Sequence, residues 1–205
     1  MNAPRVFLVD DQPAVLKALT RLLTAAGYTV QAYHTAQAFL DSGNAGAEGC
    51  LVLDMSMPAM SGLALQQALA QRASLLPVIF LTGHGNLDSG IQAMKLGAAD
   101  FLTKPVDDAR LIAAIEQALA RNRALRADHT ERADLAARLH SLTPREEEVM
   151  NLVIEGLLNK QIAAALGTVE KTVKVHRARV MTKMQVRSVT ALVRLVDRLR
   201  AGAPP

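Results

Sequence analysis

Leu51-Val-Leu-Asp54-Met-Ser-Met-Pro-Ala-Met-Ser-Gly62 is an apolar run that stops on one carboxylate and then breaks into a Met-, Ser- and Pro-rich turn. A short apolar run ended by such a breaker reads as a strand covered on both faces. Working outward, four more short runs, most of them apolar throughout, follow the same rhythm: Val6 to Val9, Thr29 to Tyr33, Val78 to Leu81 and Phe101 to Leu102. Helical spacing separates them. Val15, Leu16, Leu19, Leu22 and Leu23 recur after Pro13 and stop before Gly27, and Ile91, Met94 and Lys95 precede Gly97. Alternation of this type from Arg5 to Ala120 predicts an α/β fold, a doubly wound parallel sheet of five strands in the order 2-1-3-4-5.

Polar residues collect where these strands end. Asp10 and Asp11 follow the first strand, Asp54 ends the third, Thr82 the fourth and Lys104 the fifth. In an open parallel sheet the carboxyl ends of the strands form the binding crevice, deepest where the strand order reverses. That reversal places Asp10, Asp11 and Asp54 together. Three carboxylates in one crevice repel each other unless a cation neutralises them, and a hard divalent ion, Mg2+ first, suits oxygen ligands. Lys104 adds a fixed positive charge and Thr82 a hydroxyl donor, the equipment for orienting a phosphoryl group. Asp54 is then the nucleophile, forming an aspartyl phosphate. Taken singly, each residue has another reading: Asp11 before Pro13 as a helix N-cap, Thr82 as a strand end, Lys104 as a solvated charge. Their joint occurrence in this order favours a site.

Asp10-Asp11, the Asp54 to Gly62 segment, Phe80-Leu-Thr-Gly-His-Gly85 and Lys104-Pro105 together resemble the receiver domain of two-component response regulators, over residues 5 to about 120. The resemblance implies a flavodoxin-like fold in which Asp54 receives a phosphoryl group from a sensor histidine kinase. It implies that Asp11 and Asp54 ligate one Mg2+ with the backbone carbonyl of Ser56, while Asp10 acts mostly through metal-bound water. Lys104 pairs with the phosphoryl group, and the Lys104-Pro105 bond is cis. Thr82 and Phe101 form the switch, and the face made by the fourth and fifth helices with strand five, including Ile91 and Met94, becomes a dimerisation surface. His84 and Ser56 flank the route of hydrolytic water.

Residues 122–140 are rich in Ala, Arg and acids, with Leu125, Leu135 and Leu139 as the large apolar residues, and read as a largely solvated helical linker that extends the last helix of a 1–121 domain toward a 141–205 domain. Thr143-Pro-Arg-Glu146 sets an N-cap, a first-turn proline and a capping-box acid in series. Val149, Leu152 and Val153 form one apolar face, Asn159 to Leu166 a second short helix stopped by Gly167, Glu170 to Met184 a basic third, and Leu192, Leu195, Val196 and Leu199 line a fourth. This predicts a separate all-α, four-helix domain of helix-turn-helix type. Charge agrees. Residues 1–122 carry 8 Lys/Arg against 10 Asp/Glu, whereas 156–200 carry 10 against 2, a footprint suited to a polyanion. Every Phe and Tyr lies at or before Phe101, which disfavours single-strand binding by stacking and leaves duplex DNA.

Leu142-Thr-Pro-Arg-Glu146, Asn159-Lys-Gln-Ile-Ala163 and Thr172-Val-Lys-Val-His176 resemble the LuxR-type output domain, and the whole chain looks like a FixJ-type regulator. That resemblance implies base contacts from Lys174 and Val175. Asn159, Lys160, Thr172, His176, Arg177 and Arg179 approach phosphates, and Ala178 stands where some relatives carry a base-contacting lysine. Thr168-Val169 replaces the usual Ile-Ser, removing the expected serine cap. Lys171 and Lys183 are read as solvated helix charges as readily as contacts. The implied partners are the kinase, double-stranded DNA, RNA polymerase and a second copy of the chain once phosphorylated. Two other readings stay open: a metal-dependent phosphohydrolase using Asp54, and a phosphate-sink interaction protein. No segment reaches the ~18 unbroken apolar residues of a membrane span, Met1 to Val9 lacks the form of a secretory signal, and the cytoplasm is the expected compartment. Cys50 alone supports no disulfide or cysteine zinc cluster and reads as a small apolar filler in a strand.

Overall fold

The computed structural model describes residues 3–83 and 87–201. The readings placed on Met1, His84 and Gly85, and on the side chain of Leu199, lie outside the described residues. The chain divides into two units, Met1–Arg126 and Ala127–Pro205.

Five strands build the sheet of the first unit: β1 (Arg5–Val9), β2 (Thr29–Tyr33), β3 (Cys50–Asp54), β4 (Val78–Thr82) and β5 (Asp100–Thr103). All pair in parallel, in the order β2-β1-β3-β4-β5. The crossover helices are α1 (Pro13–Ala25), α2 (Ala36–Asp41), α3 (Gly62–Gln71) and α4 (Leu87–Lys95), and α5 (Asp108–His140) follows β5. Because successive strand residues point to opposite faces, the apolar runs split into two cores. Phe7, Val9, Leu51, Leu53 and Phe80 pack with Leu65 and Leu69 of α3 on one face. Val6, Leu8, Val52, Ile79 and Leu81 pack with Leu16, Leu19 and Leu23 of α1 and Leu111 and Ile115 of α5 on the other. This is why β3 and β4 are buried along their whole length, whereas β2, with one neighbour, stays largely exposed. Cys50 is fully buried in β3, and burial pushes its thiol up to about 12, so it behaves as the filler the sequence suggested.

Two helices had no periodic signal strong enough to announce them. Helix α2 spans only six residues, and its start is fixed by Thr35 Oγ1 accepting from Ala38 N; Ser61 caps α3 in the same way through Ala64 N.

The expected solvated linker needs correction at its beginning. Asn122 is fully buried: its Oδ1 accepts from Gly49 N at 3.1 Å and its Nδ2 donates to Leu75 O at 2.6 Å. One turn later Arg126 donates to Asn122 Oδ1 and to the carbonyls of Gly46 and Ala47. These bonds tie the segments just before β3 and β4 to the helix, and Asn122 gives the buried Gly49 N–H its partner. Helix α5 therefore serves the first unit as far as Arg126. In the second unit its continuation is also held, by Leu139 against the core and by an Arg198–Glu131 ion pair of 2.9 Å.

Helices α6 (Pro144–Ile154), α7 (Asn159–Ala165), α8 (Glu170–Lys183) and α9 (Val189–Ala201) complete the second unit around Val149, Met150, Val153, Ile162, Val173, Val180, Met184, Leu192 and Val196. The capping box forms as expected, with Glu146 N donating to Thr143 Oγ1 and Thr143 N to Glu146 Oε2. Glu146 also accepts from Lys183 Nζ at 2.6 Å. That hydrogen bond, followed by the backbone bond from Thr143, holds its carboxyl down at about 2 against an ordinary 4.5. A carboxylate depressed in the fold stabilises it above the ordinary value and loses that contribution as pH falls toward the folded value. Glu146→Gln is thus expected to lower the melting temperature at neutral pH, with the gap from wild type closing between 4.5 and about 2. Thermal denaturation across that range measures it; a gap independent of pH would count against the ionised cap.

Candidate phosphoacceptor site and nucleic-acid interface

Three neighbouring strand ends and the residue after β5 make the first site. Asp10 directly follows β1, Asp54 closes β3, Thr82 closes β4, and Lys104 directly follows β5. Lys104 N donates to Thr82 O at 2.7 Å, fixing the end of β5 beside β4, and the Lys104-Pro105 bond is cis. From there the lysine side chain crosses the crevice. Its Nζ lies 2.6 Å from Asp10 Oδ2 and 2.6 Å from Asp54 Oδ1, with the two carboxylates only 3% and 5% exposed. The second oxygen of each carboxylate takes a backbone donor: Gln12 N to Asp10 Oδ1 and Ser56 N to Asp54 Oδ2, both 2.9 Å. Burial holds the Asp54 carboxyl above its usual range, against the pull of Lys104. For Lys104, burial works downward, but its bonds to Asp10 and Asp54 and their charges outweigh it and raise the ammonium above its usual value.

Asp11 takes no part in this pairing. Helix α1 begins with Gln12 as N-cap and no side-chain cap, so Asp11 is not the cap its position before Pro13 allowed. Its Oδ1 is instead buried without a hydrogen-bond partner. Among the described residues no three acidic, imidazole or thiol side chains stand grouped as a metal cage, and Lys104 bridges Asp10 and Asp54. The buried, orphaned carboxylate oxygen of Asp11, next in the chain to Asp10, nevertheless suits a hard divalent cation.

The turn after Asp54 is shaped by features that no spacing rule identified. Ala59 adopts φ 64°, a left-handed conformation costly for a residue with a Cβ. Gly62 returns its N–H to Met55 O at 3.0 Å, and a Cβ there would run into the Asp54 carbonyl, so only glycine fits behind the acceptor. Thr82 is 3% exposed. Phe101, in β5, is partly buried against the core with its ring over Gly90 of α4, where an added Cβ would approach the ring within 3.2 Å. Ile91 and Met94 of α4 are about half exposed rather than core residues.

The second site lies on α7 and α8, joined through Gly167 at φ 62°. Lys174 is 63% exposed and paired with Glu170 at 3.1 Å, a surface ion pair worth about 0.3–0.5 kcal/mol and easily exchanged. Val175 is 46% exposed, and Lys160, Ala178 and Arg179 are also exposed. The structure brings Arg177 and Asn159 together, Nη1 to Oδ1 at 2.9 Å, linking the two helices. Thr172 and His176 are half-buried, and the Nδ1 of His176 is buried without a partner. The missing serine cap does not move the helix start: Val169 is the N-cap of α8, without a side-chain bond and 64% exposed. Lys183 differs from the solvated charge suggested by sequence, since Glu146 and the Ser141 carbonyl engage it.

A doubly wound sheet with this carboxylate–lysine crevice, continued by a helix-turn-helix unit, defines a receiver joined to a DNA-binding output domain. Comparison with known proteins agrees: residues 6–116 match the response regulator receiver domain and residues 140–196 the luxR family of bacterial regulatory proteins. The response regulator protein TodT of Pseudomonas putida is 41% identical, over 97% of this chain and 88% of its own. The transcriptional regulatory protein FixJ of Bradyrhizobium diazoefficiens is 42% identical, over 96% and 95%. Among solved structures, the response regulator StyR aligns with a TM-score of 0.91 at 44% identity, covering 96% of this chain and all of that one. Full-length FixJ from B. japonicum aligns with a TM-score of 0.60 at 40% identity, covering 99% of this chain and all of that one. The chain belongs to the FixJ-type two-component response regulators. Among the described residues no helix is long and apolar enough to cross a membrane.

Lys104→Ala leaves two buried carboxylates without their cation and is expected to destabilise the chain by about 3 kcal/mol, the scale of breaking a buried pair. Adding Asp54→Asn to it should recover part of the loss, because only Asp10 then remains unpaired. Denaturant unfolding followed by circular dichroism tests both; strictly additive losses would mean that the lysine and the acceptor do not interact.

Proposed function

We propose that this chain is a phosphorylation-controlled transcriptional regulator whose Asp54 accepts a phosphoryl group from a sensor histidine kinase. The observation that carries the reading is the Lys104 ammonium 2.6 Å from Asp54, a cation already placed where phosphoryl oxygens arrive. In the transfer, an Asp54 oxygen bonds to phosphorus as the phosphorus–nitrogen bond of the kinase's phosphohistidine breaks. Lys104 steadies the new negative charge. Asp11, Asp54 and the Ser56 carbonyl would ligate a Mg2+ ion, with Asp10 beside it, and the ion would neutralise charge on the group in transfer. The orphaned Asp11 oxygen supports that assignment. Asp54 acts as a stoichiometric acceptor rather than a turnover catalyst, with slow self-dephosphorylation. Family membership favours this reading over a phosphohydrolase or a phosphate sink.

Phosphorylation draws the Thr82 hydroxyl toward the acceptor and lets Phe101 turn inward, altering the face to which Ile91 and Met94 belong. Their exposure supports a dimerisation role for that face. Moving such a switch from 1:99 to 99:1 takes ~5.5 kcal/mol of differential stabilisation, to which dimerisation contributes. A dimer presents two α8 helices to two half-sites of duplex DNA, with Lys174 and Val175 toward base edges. Asn159, Lys160, Thr172, His176, Arg177 and Arg179 approach phosphates, and Ala178 offers a methyl contact. RNA polymerase is a further partner, and the cytoplasm is the compartment in which kinase, regulator and DNA meet.

Asp54→Asn is expected to abolish phosphate incorporation from the cognate kinase or a small phosphodonor, read by a phosphate-affinity gel shift. Incorporation at the wild-type rate would sink the acceptor assignment. Lys174→Ala should weaken binding to a duplex selected from a random pool about tenfold more than binding to a scrambled duplex, the scale of one lost base contact. Equal losses would demote Lys174 to a phosphate contact.

A further inference from the structure

Lys183 is the last residue of the most basic helix in the chain, and by composition it belongs to the DNA-binding charge. Its geometry says otherwise. The Nζ donates to Glu146 Oε2 at 2.6 Å and to Ser141 O at 2.7 Å, and the side chain is 33% exposed, against 63% for Lys174 on the same helix. Glu146 is 3% exposed at its side chain and is itself held in the first turn of α6 by the Thr143 capping box. Ser141 directly follows α5, and its N–H still bonds back to Ala137 O. One ammonium thus joins three segments: the end of α8, the start of α6 and the end of α5. Immediately beyond it, Met184 is fully buried in the core. Turning Lys183 toward a phosphate would strip a nearly buried carboxylate of its cation, which strongly disfavours that rotation.

We propose that Lys183 is a positioning residue for DNA recognition: it fixes the pose of α8 against the α5–α6 junction and contributes to sequence selectivity without touching DNA. This rests on the regulatory reading above, in which α8 carries the base contacts. A phosphate contact supplies affinity equally to every sequence, whereas a residue that sets the helix pose governs the base contacts and therefore the ratio between right and wrong sequences.

The test uses the full chain, a duplex selected from a random pool by the wild-type protein, and a scrambled duplex, at temperatures well below unfolding of each variant as judged by circular dichroism. Lys183→Met keeps the alkyl stem and removes the charge. It should lower affinity for the selected duplex roughly tenfold, the scale of one disturbed base contact. Scrambled-duplex binding should hardly change, and the slope of log affinity against log salt should stay at the wild-type value. Glu146→Gln reaches the same prediction from the other side: a released Lys183 that could serve a phosphate would tighten binding, whereas a lost anchor loosens selected-duplex binding as Lys183→Met does. A Lys183→Met slope shallower by about one with equal losses on both duplexes overturns the proposal, as does tighter binding by Glu146→Gln. Selectivity unchanged in both variants overturns it too. A wild-type chain that selects no duplex at all overturns the regulatory reading itself, and is distinguished by the absence of any enriched sequence.

Discussion

Two carboxylates buried at neighbouring strand ends share one counter-charge, the Lys104 ammonium 2.6 Å from each. The crevice depends on that arrangement. Asp10 and Asp54 arrive from adjacent strands of the sheet, Lys104 from the carboxyl end of β5, and the strands must pair in the right order before the ammonium can reach both. Burial and like charge work against Asp54 as an anion, while Lys104 and the Ser56 N–H work for it. The acceptor is therefore held in a balance that a new charge in the crevice disturbs. That sensitivity suits a switch better than a catalyst that must return unchanged.

The second unit uses a similar device for a different end. Glu146 is almost inaccessible, completes a helix cap, and takes its counter-charge from the far end of α8. Basic residues in this region consequently divide into two kinds. Lys160 and Arg179 are exposed and Lys174 pairs locally with Glu170 on its own helix, whereas Lys183 is engaged by the nearly inaccessible Glu146 of another helix. A count of positive charge treats them alike; their geometry separates residues available to a polyanion from residues that hold the helices in place.

Much of the architecture could be read from the chain. Strands β1, β3 and β4 announce themselves because apolar runs covered on both faces have little alternation to confuse, and the capping box at Thr143 and Glu146 is a strictly local pattern. Asp54, Thr82 and Lys104 were legible for a related reason: each sits at or just past the end of such a run. Helix α2 was too short to show a period. Asn122 looked like linker because burial of a polar side chain becomes sensible only once Gly49 and Leu75 stand beside it.

Sequence by itself determined the succession of strands, the strand-end position of the acceptor and the capping box at Thr143 and Glu146, since these depend on spacing, capping and turn chemistry within a few residues. Only the tertiary structure decided which polar groups share charge. Lys104 meets Asp10 across 94 positions, Asn122 meets Gly49 across 73, and Lys183 meets Glu146 across 37. Such pairings follow from how strands and helices pack, and a lysine committed to a buried carboxylate is spelled with the same residue as one left free in water.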